Sequence, residues 1–271
     1  MSTPITLSIA GSDSGGGAGI QADIKAISAT GGYACTVITA TTAQNTLGVT
    51  DVHAIPLAHI EAQLDAVFTD LDVQAVKIGM LADSEIIRVV AQKLRQYQPK
   101  KVVLDPVMVA TSGAMLLHDS AVKTLIDELL PHVSVITPNL PEAAALLGQA
   151  TPTSHEQALA LIPALQQLPT PAVLLKGGHL SDTPSCIDWL ITRAQTISYA
   201  GPRIATQNTH GTGCTLSSAL ASFLAQGYDL EAAVQQAKHY ISQAIAHADE
   251  LAVGRGHGPV HHFYQQTSTD S

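Results

Sequence analysis

Five glycines fall within the nine residues Gly11-Ser12-Asp13-Ser14-Gly15-Gly16-Gly17-Ala18-Gly19, after a short apolar run and before a helical pattern. Glycine there lets backbone come close to a ligand or to another backbone, and leaves N–H groups free to meet an anion at the helix start. A second turn, Thr209-His210-Gly211-Thr212-Gly213-Cys214-Thr215, also runs into a helix. The amides of Gly211, Thr212, Gly213 and Cys214 would converge at its positive end, where a transferring phosphoryl group and its developing charge can be held. Cys214 would lie in the first turn, where a thiolate is favoured, and is a candidate to take the proton from an attacking hydroxyl. The other reading is a small buried hydrophobe. The flanking glycines favour the first.

Asp105-Pro106-Val107-Met108 and Asn139-Leu140-Pro141-Glu142 each follow a short apolar run. Asp105 and Glu142 suit a Mg²⁺ ion that keeps most of its water shell and needs few protein ligands. Taken singly, Asn139 also reads as a helix cap and Glu142 as a favourable first-turn charge. Lys176 precedes Gly177 and Gly178 and can neutralise nucleotide phosphate, or be an ordinary exposed lysine. Gly17-x-Gly19-x-x-Ala22 is a partial dinucleotide fingerprint, but residues 33–42 lack the acidic partner it requires, so a dinucleotide oxidoreductase is not expected. The first loop also lacks a Walker A ending. His257, His261 and His262 are separated by Gly258 and Pro259, which breaks a helical ligand face, so zinc is not expected.

The elements that must position these residues alternate along the chain. Strands are expected at 5–10, 33–41, 73–78, 101–105, 133–137 and 172–175. Helices are expected from Ile20 to Gly31, at 58–71, 84–97 and 120–130, and from Pro141; 155–168 is a further helical window broken by Pro163. This pattern predicts right-handed βαβ units, giving an α/β fold with a mostly parallel sheet and helices on both faces. Residues 187–193 and 196–199 predict a small antiparallel edge, followed by helices at 213–225 and 230–251. Ligands of such sheets sit beyond the carboxyl ends of the strands, where the unusual residues cluster.

The chain has 271 residues, 46% hydrophobic and 4% aromatic, which suits one α/β domain over 1–271 with a frayed tail at 265–271. With a net charge of −9 and no long basic run, a nucleic-acid partner is not expected. Cys35, Cys186 and Cys214 form neither a disulfide framework nor a metal-ligand spacing. No signal peptide or membrane-length apolar stretch is present, so a reduced cytoplasmic protein is expected.

Together these segments resemble the hydroxymethylpyrimidine/phosphomethylpyrimidine kinase family of the ribokinase-like superfamily. The resemblance rests on residues 10–23, Thr41-Thr42-Ala43-Gln44-Asn45-Thr46, Lys77-Ile78-Gly79-Met80-Leu81, Asp105-Pro106-Val107-Met108, and Thr137 to Ala143. It continues through Lys176-Gly177-Gly178-His179, the Gly211-to-Cys214 turn and Gly256-His257-Gly258-Pro259. It implies phosphorylation of 4-amino-5-hydroxymethyl-2-methylpyrimidine to its monophosphate and then its diphosphate, with ATP and Mg²⁺, by a homodimer. It also implies that the pyrimidine lies near Gly11, between Met80 and Val107, with polar contacts from Gln44 and Asp23. Asn139, Lys176 and Thr212 would then serve the nucleotide, and Asp105 and Glu142 the metal. Many relatives in the superfamily carry Asp as catalytic base where this chain has Cys214. Pyridoxal or pyridoxine kinase is the alternative substrate assignment, and a non-catalytic metabolite-binding module the alternative class. No segment for a second domain is present, so a fused kinase and thiamine-phosphate synthase is not expected.

Overall fold

The computed structural model describes residues 3–108, 119–178, 180 and 185–266, and the structural statements below concern those residues. His179 and residues 267–271 of the expected frayed tail lie outside them. In chain order the elements are β1 (Ile5–Asp13), α1 (Gly19–Ala29), β2 (Tyr33–Asn45), β3 (Gly48–Ala54), α2 (Leu57–Asp70), β4 (Ala75–Ile78), α3 (Ser84–Tyr97) and β5 (Val102–Leu104). There follow α4 (Asp119–Thr124), β6 (Val135–Ile136), α5 (Leu140–Leu147), α6 (His155–Ala160), α7 (Ile162–Leu165), β7 (Ala172–Lys176), β8 (Ser185–Thr192), β9 (Thr196–Pro202), α8 (Thr212–Ala225) and α9 (Leu230–Ala246).

The strands form a nine-stranded sheet in the order β3-β2-β1-β4-β5-β6-β7-β8-β9. The strands from β2 to β7 in that order run parallel, while β3 at one end and β8 and β9 at the other pair antiparallel. The period-2 alternation of the central strands divides the core. Val76, Ile78, Val102, Leu104, Val173 and Leu175 pack with α2, α3 and α5. Ala75, Val103 and Leu174 face the other way, onto α1, α8 and α9. Both faces are covered, which is why β5 reads as an unbroken apolar run. Ser217, Ser218, Ala219, Ala221 and Ser222 are all buried in α8. These small side chains let that helix lie close on the sheet.

The structure departs from the expected elements where tertiary pairing overrides local pattern. β1 and β2 run on to Asp13 and Asn45, and β3 adds an antiparallel pair that the sequence reading lacks. β3 is mostly exposed and so carries no apolar alternation to reveal it. α4 passes through a π turn at Leu125–Leu129 into a 3₁₀ turn at Leu130–His132. The window broken by Pro163 becomes α6 and α7, with the proline in the first turn of the second piece. α9 ends at Ala246, short of the expected 251, and a 3₁₀ turn follows.

Replacing Leu104, fully buried in β5, with alanine is expected to lower the unfolding free energy by about 2–5 kcal/mol. The same change at the exposed Leu57 should stay within about 0.5 kcal/mol; urea denaturation measures both.

Candidate active site

β1, β4, β5, β6 and β7 all end on one side of the sheet, and a cavity of about 980 Å³ opens there. It straddles the point where β1 lies between β2 and β4, so that successive crossovers leave in opposite directions. Of the expected site residues, Gly11, Gln44, Met80, Val107, Asp105, Asn139, Glu142, Lys176 and the turn from Gly211 to Cys214 all line it.

Gly11, Met80 and Val107 together line an apolar part of the cavity, the slot. A Cβ on Gly11 would stand 2.5 Å from the Met80 methyl, so that flexible side chain would have to move to accept any other residue there. Gln44 closes the slot's polar edge. Its Oε1 accepts the Thr42 hydroxyl at 3.0 Å, which turns its amide nitrogen toward His210, 3.4 Å away.

Asp13, which the sequence reading passed over, organises the glycine loop. Its carboxylate accepts the amides of Gly15 (2.8 Å), Gly17 (3.0 Å) and Ala18 (2.8 Å), and lies 2.9 Å from His210 Nε2. Burial works against the charge, yet the bonds from His210 and the loop amides hold the carboxyl below its ordinary range. The loop amides expected to be free for an anion are therefore largely engaged by Asp13. The crowding of glycines serves contact with another backbone instead. A Cβ on Gly17 would stand 2.3 Å from the His210 ring, and one on Gly211 (φ +79°) 1.8 Å from the Gly17 carbonyl oxygen.

Asp23 does not line the cavity, contrary to its expected place beside the ring. It is fully buried, paired with Lys77 at 2.8 Å, and accepts the hydroxyls of Ser8 and Ser218. It points to the packed face between α1 and α8, and the interior cation accounts for it.

Lys176 Nζ bonds Asp105 Oδ1 at 2.8 Å, and the Thr137 hydroxyl lies 3.1 Å from the same oxygen. Gly213 sits directly over this pair: a Cβ there would be 3.2 Å from Asp105 Oδ2 and 3.3 Å from Lys176 Nζ. Asn139 and Glu142 form a reciprocal capping box on α5, with bonds of 2.9 and 2.8 Å, while still lining the cavity. Both the cap reading and the site reading thus apply. Burial pushes the Glu142 carboxyl up to about 7 against the pull of Lys176, and Asp105 adds to the push. Among the described residues, no three His, Cys, Asp or Glu side chains gather as a metal cage.

The turn leading into α8 differs from expectation in two respects. Thr212 donates its amide to the Thr209 carbonyl at 3.2 Å, which leaves Gly213 and Cys214 as the first-turn donors without an intrahelical acceptor. Burial pushes the Cys214 thiol up to about 11; Lys77 opposes this, while Asp23 and Asp105 add to it. Desolvation therefore outweighs the helix end, and the resting group is a thiol. Further along the wall, Lys238 pairs with Asp188 at 2.6 Å, and Arg203 holds the carbonyls of Gly178 and Leu180. These residues, like His210, were not singled out from the sequence. The usable signal was a charge inside an apolar strand or helix, as at Asp188 and Lys238.

A cavity at the carboxyl ends of a mostly parallel sheet covered on both faces is the arrangement of the ribokinase-like kinases to which this chain is similar. A family profile described as phosphomethylpyrimidine kinase matches residues 13–261. The chain is similar to the hydroxymethylpyrimidine/phosphomethylpyrimidine kinase of Escherichia coli (strain K12), at 53% identity over 258 residues, covering 95% of this chain and 97% of that protein. It is similar to the crystal structure of phosphomethylpyrimidine kinase from Clostridium difficile 630, with a TM-score of 0.78 and 44% identity, covering 89% and 99% of the two chains. It is also similar to an ADP complex of Bacillus subtilis pyridoxal kinase, with a TM-score of 0.89 and 33% identity, covering 98% and 99%. The chain belongs to the phosphomethylpyrimidine kinase family.

Two outcomes follow from this geometry. Gly211→Ala drives a Cβ into the Gly17 carbonyl at a left-handed φ; it should cost about 2–4 kcal/mol of stability and most of the kinase activity, read by urea denaturation and ADP release. Glu142 has a folded pKa above its unfolded value of 4.5, so the folded state binds the extra proton and stability falls as pH rises from about 4.5 through about 7. Glu142→Gln should remove that slope, worth at most ~3 kcal/mol, in urea titrations at pH 5 and pH 8.

Proposed function

We propose that this protein transfers the γ-phosphoryl group of ATP to the hydroxymethyl group of 4-amino-5-hydroxymethyl-2-methylpyrimidine, and then phosphorylates that monophosphate to the diphosphate, as a step of thiamine biosynthesis. The observation that carries this reading is the continuity of the Gly11–Met80–Val107 slot with the Gly213 and Cys214 amides in one cavity. The near full-length similarity to the Escherichia coli enzyme supports it. The flat ring lies in the apolar slot, and the oriented Gln44 amide reads its polar edge.

In the first transfer the hydroxymethyl oxygen attacks the γ-phosphorus, the bond to the bridging oxygen breaks, and ADP leaves with that electron pair. The amides of Gly213 and Cys214 meet the charge spread over the equatorial oxygens, where positioning and electrostatics supply most of the acceleration. Asn139, Lys176 and Thr212 serve the nucleotide. The Asp105 and Glu142 oxygens are hard donors on the cavity wall and fit a Mg²⁺ ion that keeps most of its water. When bound, such an ion neutralises the phosphate charge.

The hydroxyl proton must leave; the Cys214 thiolate, formed once the resting thiol has given its own proton to solvent, is assigned as its acceptor. The second transfer has a different demand, because its nucleophile is a phosphate oxygen already ionised. Homodimerisation and a cytoplasmic location belong to the same reading, as the resemblance implies. None of the described helices is long and apolar enough to cross a membrane.

The test is steady-state turnover with Mg²⁺-ATP and the hydroxymethylpyrimidine, its monophosphate or pyridoxal, with products resolved by mass spectrometry. Both pyrimidines should turn over with far higher kcat/KM than pyridoxal. Preference for pyridoxal without a diphosphate product would move the substrate to that vitamer. Cys214→Ser should slow the first transfer about 100-fold or more, the usual scale of acid–base assistance, and leave the second within about tenfold. Equal losses in both would remove proton acceptance from the sulfur.

A further inference from the structure

A fully buried lysine is left without a role by the mechanism above. Lys77 lies in β4 with no solvent exposure, and its ammonium bonds both Asp23 oxygens, at 2.8 and 2.9 Å. Alternation along the strand turns Ala75 and Lys77 toward α1 and α8, opposite to Val76 and Ile78. Asp23 comes from α1, and its remaining bonds are to Ser8 of β1 at 2.6 Å and Ser218 of α8 at 2.7 Å. Ser218 lies one helical turn after Cys214, so the two share a face of α8. A Cβ on Gly79 would stand 2.8 Å from the ammonium nitrogen. Met80, the next residue, lines the slot.

We propose that Lys77 is a positioning residue for phosphoryl transfer, its buried ammonium acting as one counter-ion for which the Asp23 carboxylate and the Cys214 sulfur compete. Burial works against the Lys77 charge, yet Asp23, Cys214 and Asp105 hold it above the ordinary lysine range. The charged groups around Cys214 come from four elements: Lys77 of β4, Asp23 of α1, Asp105 after β5 and Lys176 at the end of β7. Lys176 and Lys77 are each bonded to a carboxylate; Lys77 is the one whose carboxylate is also held by Ser218, one helical turn from Cys214. With Asp23 in place, most of its field is spent on the carboxylate and the sulfur keeps its proton. The inference rests on Cys214 lying at the transfer site, but the coupling it asserts can be measured without turnover.

A purely structural ion pair and a shared counter-ion predict different outcomes. Loss of either partner of a structural pair harms the protein in one direction. If the counter-ion is shared, Asp23→Asn frees Lys77 to pair with the sulfur and makes the thiol more acidic. Lys77→Met removes the cation and makes it less acidic.

The experiment uses the full chain carrying Cys35→Ala and Cys186→Ala, so that Cys214 is the one thiol. Iodoacetamide alkylation is followed against pH. Asp23→Asn should alkylate at least tenfold faster at pH 7.5, with its midpoint moved down by one unit or more, and Lys77→Met should move the midpoint up. Lys77→Met with Asp23→Asn leaves no lone buried charge; it keeps the question answerable if Lys77→Met fails to fold, and should also move the midpoint up. Shifts of both single variants in the same direction, or a double variant that titrates as the parent does, would overturn the proposal. The pH dependence of kcat for the first transfer, measured on the same proteins, is the separate arm. A thiol that shifts as expected while kcat does not follow would keep the Lys77 coupling and remove proton acceptance by Cys214.

Discussion

The site depends on one carboxylate that never meets the substrate in the mechanism. Asp13 gathers three amides of its own loop and the ring of His210, which stands 197 residues away along the chain. These bonds fix the height of the first glycine turn, and that height lets the Gly17 carbonyl press against Gly211. Once the two turns are locked together, the slot at Gly11 and the amides of Gly213 and Cys214 face one volume. The same bonds that position the loop deny its amides to a ligand. Gly213 and Cys214, in the second turn, keep their amides without an intrahelical acceptor.

Charge in this protein is arranged as matched pairs set under the cavity. Lys77 with Asp23, Lys176 with Asp105 and Lys238 with Asp188 each bring one buried or nearly buried cation to a carboxylate within 2.8 Å. Such pairs add little to stability in themselves, since desolvation offsets their attraction. Their value here is a preset field. The chain's net charge of −9 makes the placing of its few internal cations the more consequential.

Much of this was legible in the residues. The alternation of strands and helices carried the parallel sheet and its covered faces, because strands buried on both sides must be apolar. Glycine crowding, Asn139 with Glu142, and Lys176 at a strand end marked the cavity wall correctly. What remained hidden has one cause: the partner of a buried group lies far away in the chain. Asp23 could not be told from a cavity residue until Lys77 appeared beneath it, and the glycine loop could not be told from an anion cradle until Asp13 was seen to fill it. For Cys214 the sequence shows its place at the helix start, while the burial that pushes its thiol up appears only in the fold. β3 escaped because an exposed edge strand needs no apolar stripe.

The lid on the Lys77–Asp23 pair is α8, joined to it by the Ser218 hydroxyl across 195 residues of sequence. During synthesis β1, α1 and β4 leave the ribosome long before α8 does, and until then α1 alone covers this face of the sheet. The growing chain therefore carries a half-built interior with an ion pair open to water, and long-range closure of this kind is slow relative to local folding. Water is a tolerable partner for that pair and a poor one for a leucine. A charged patch on the face that waits longest keeps the unfinished sheet from sticking to its neighbours.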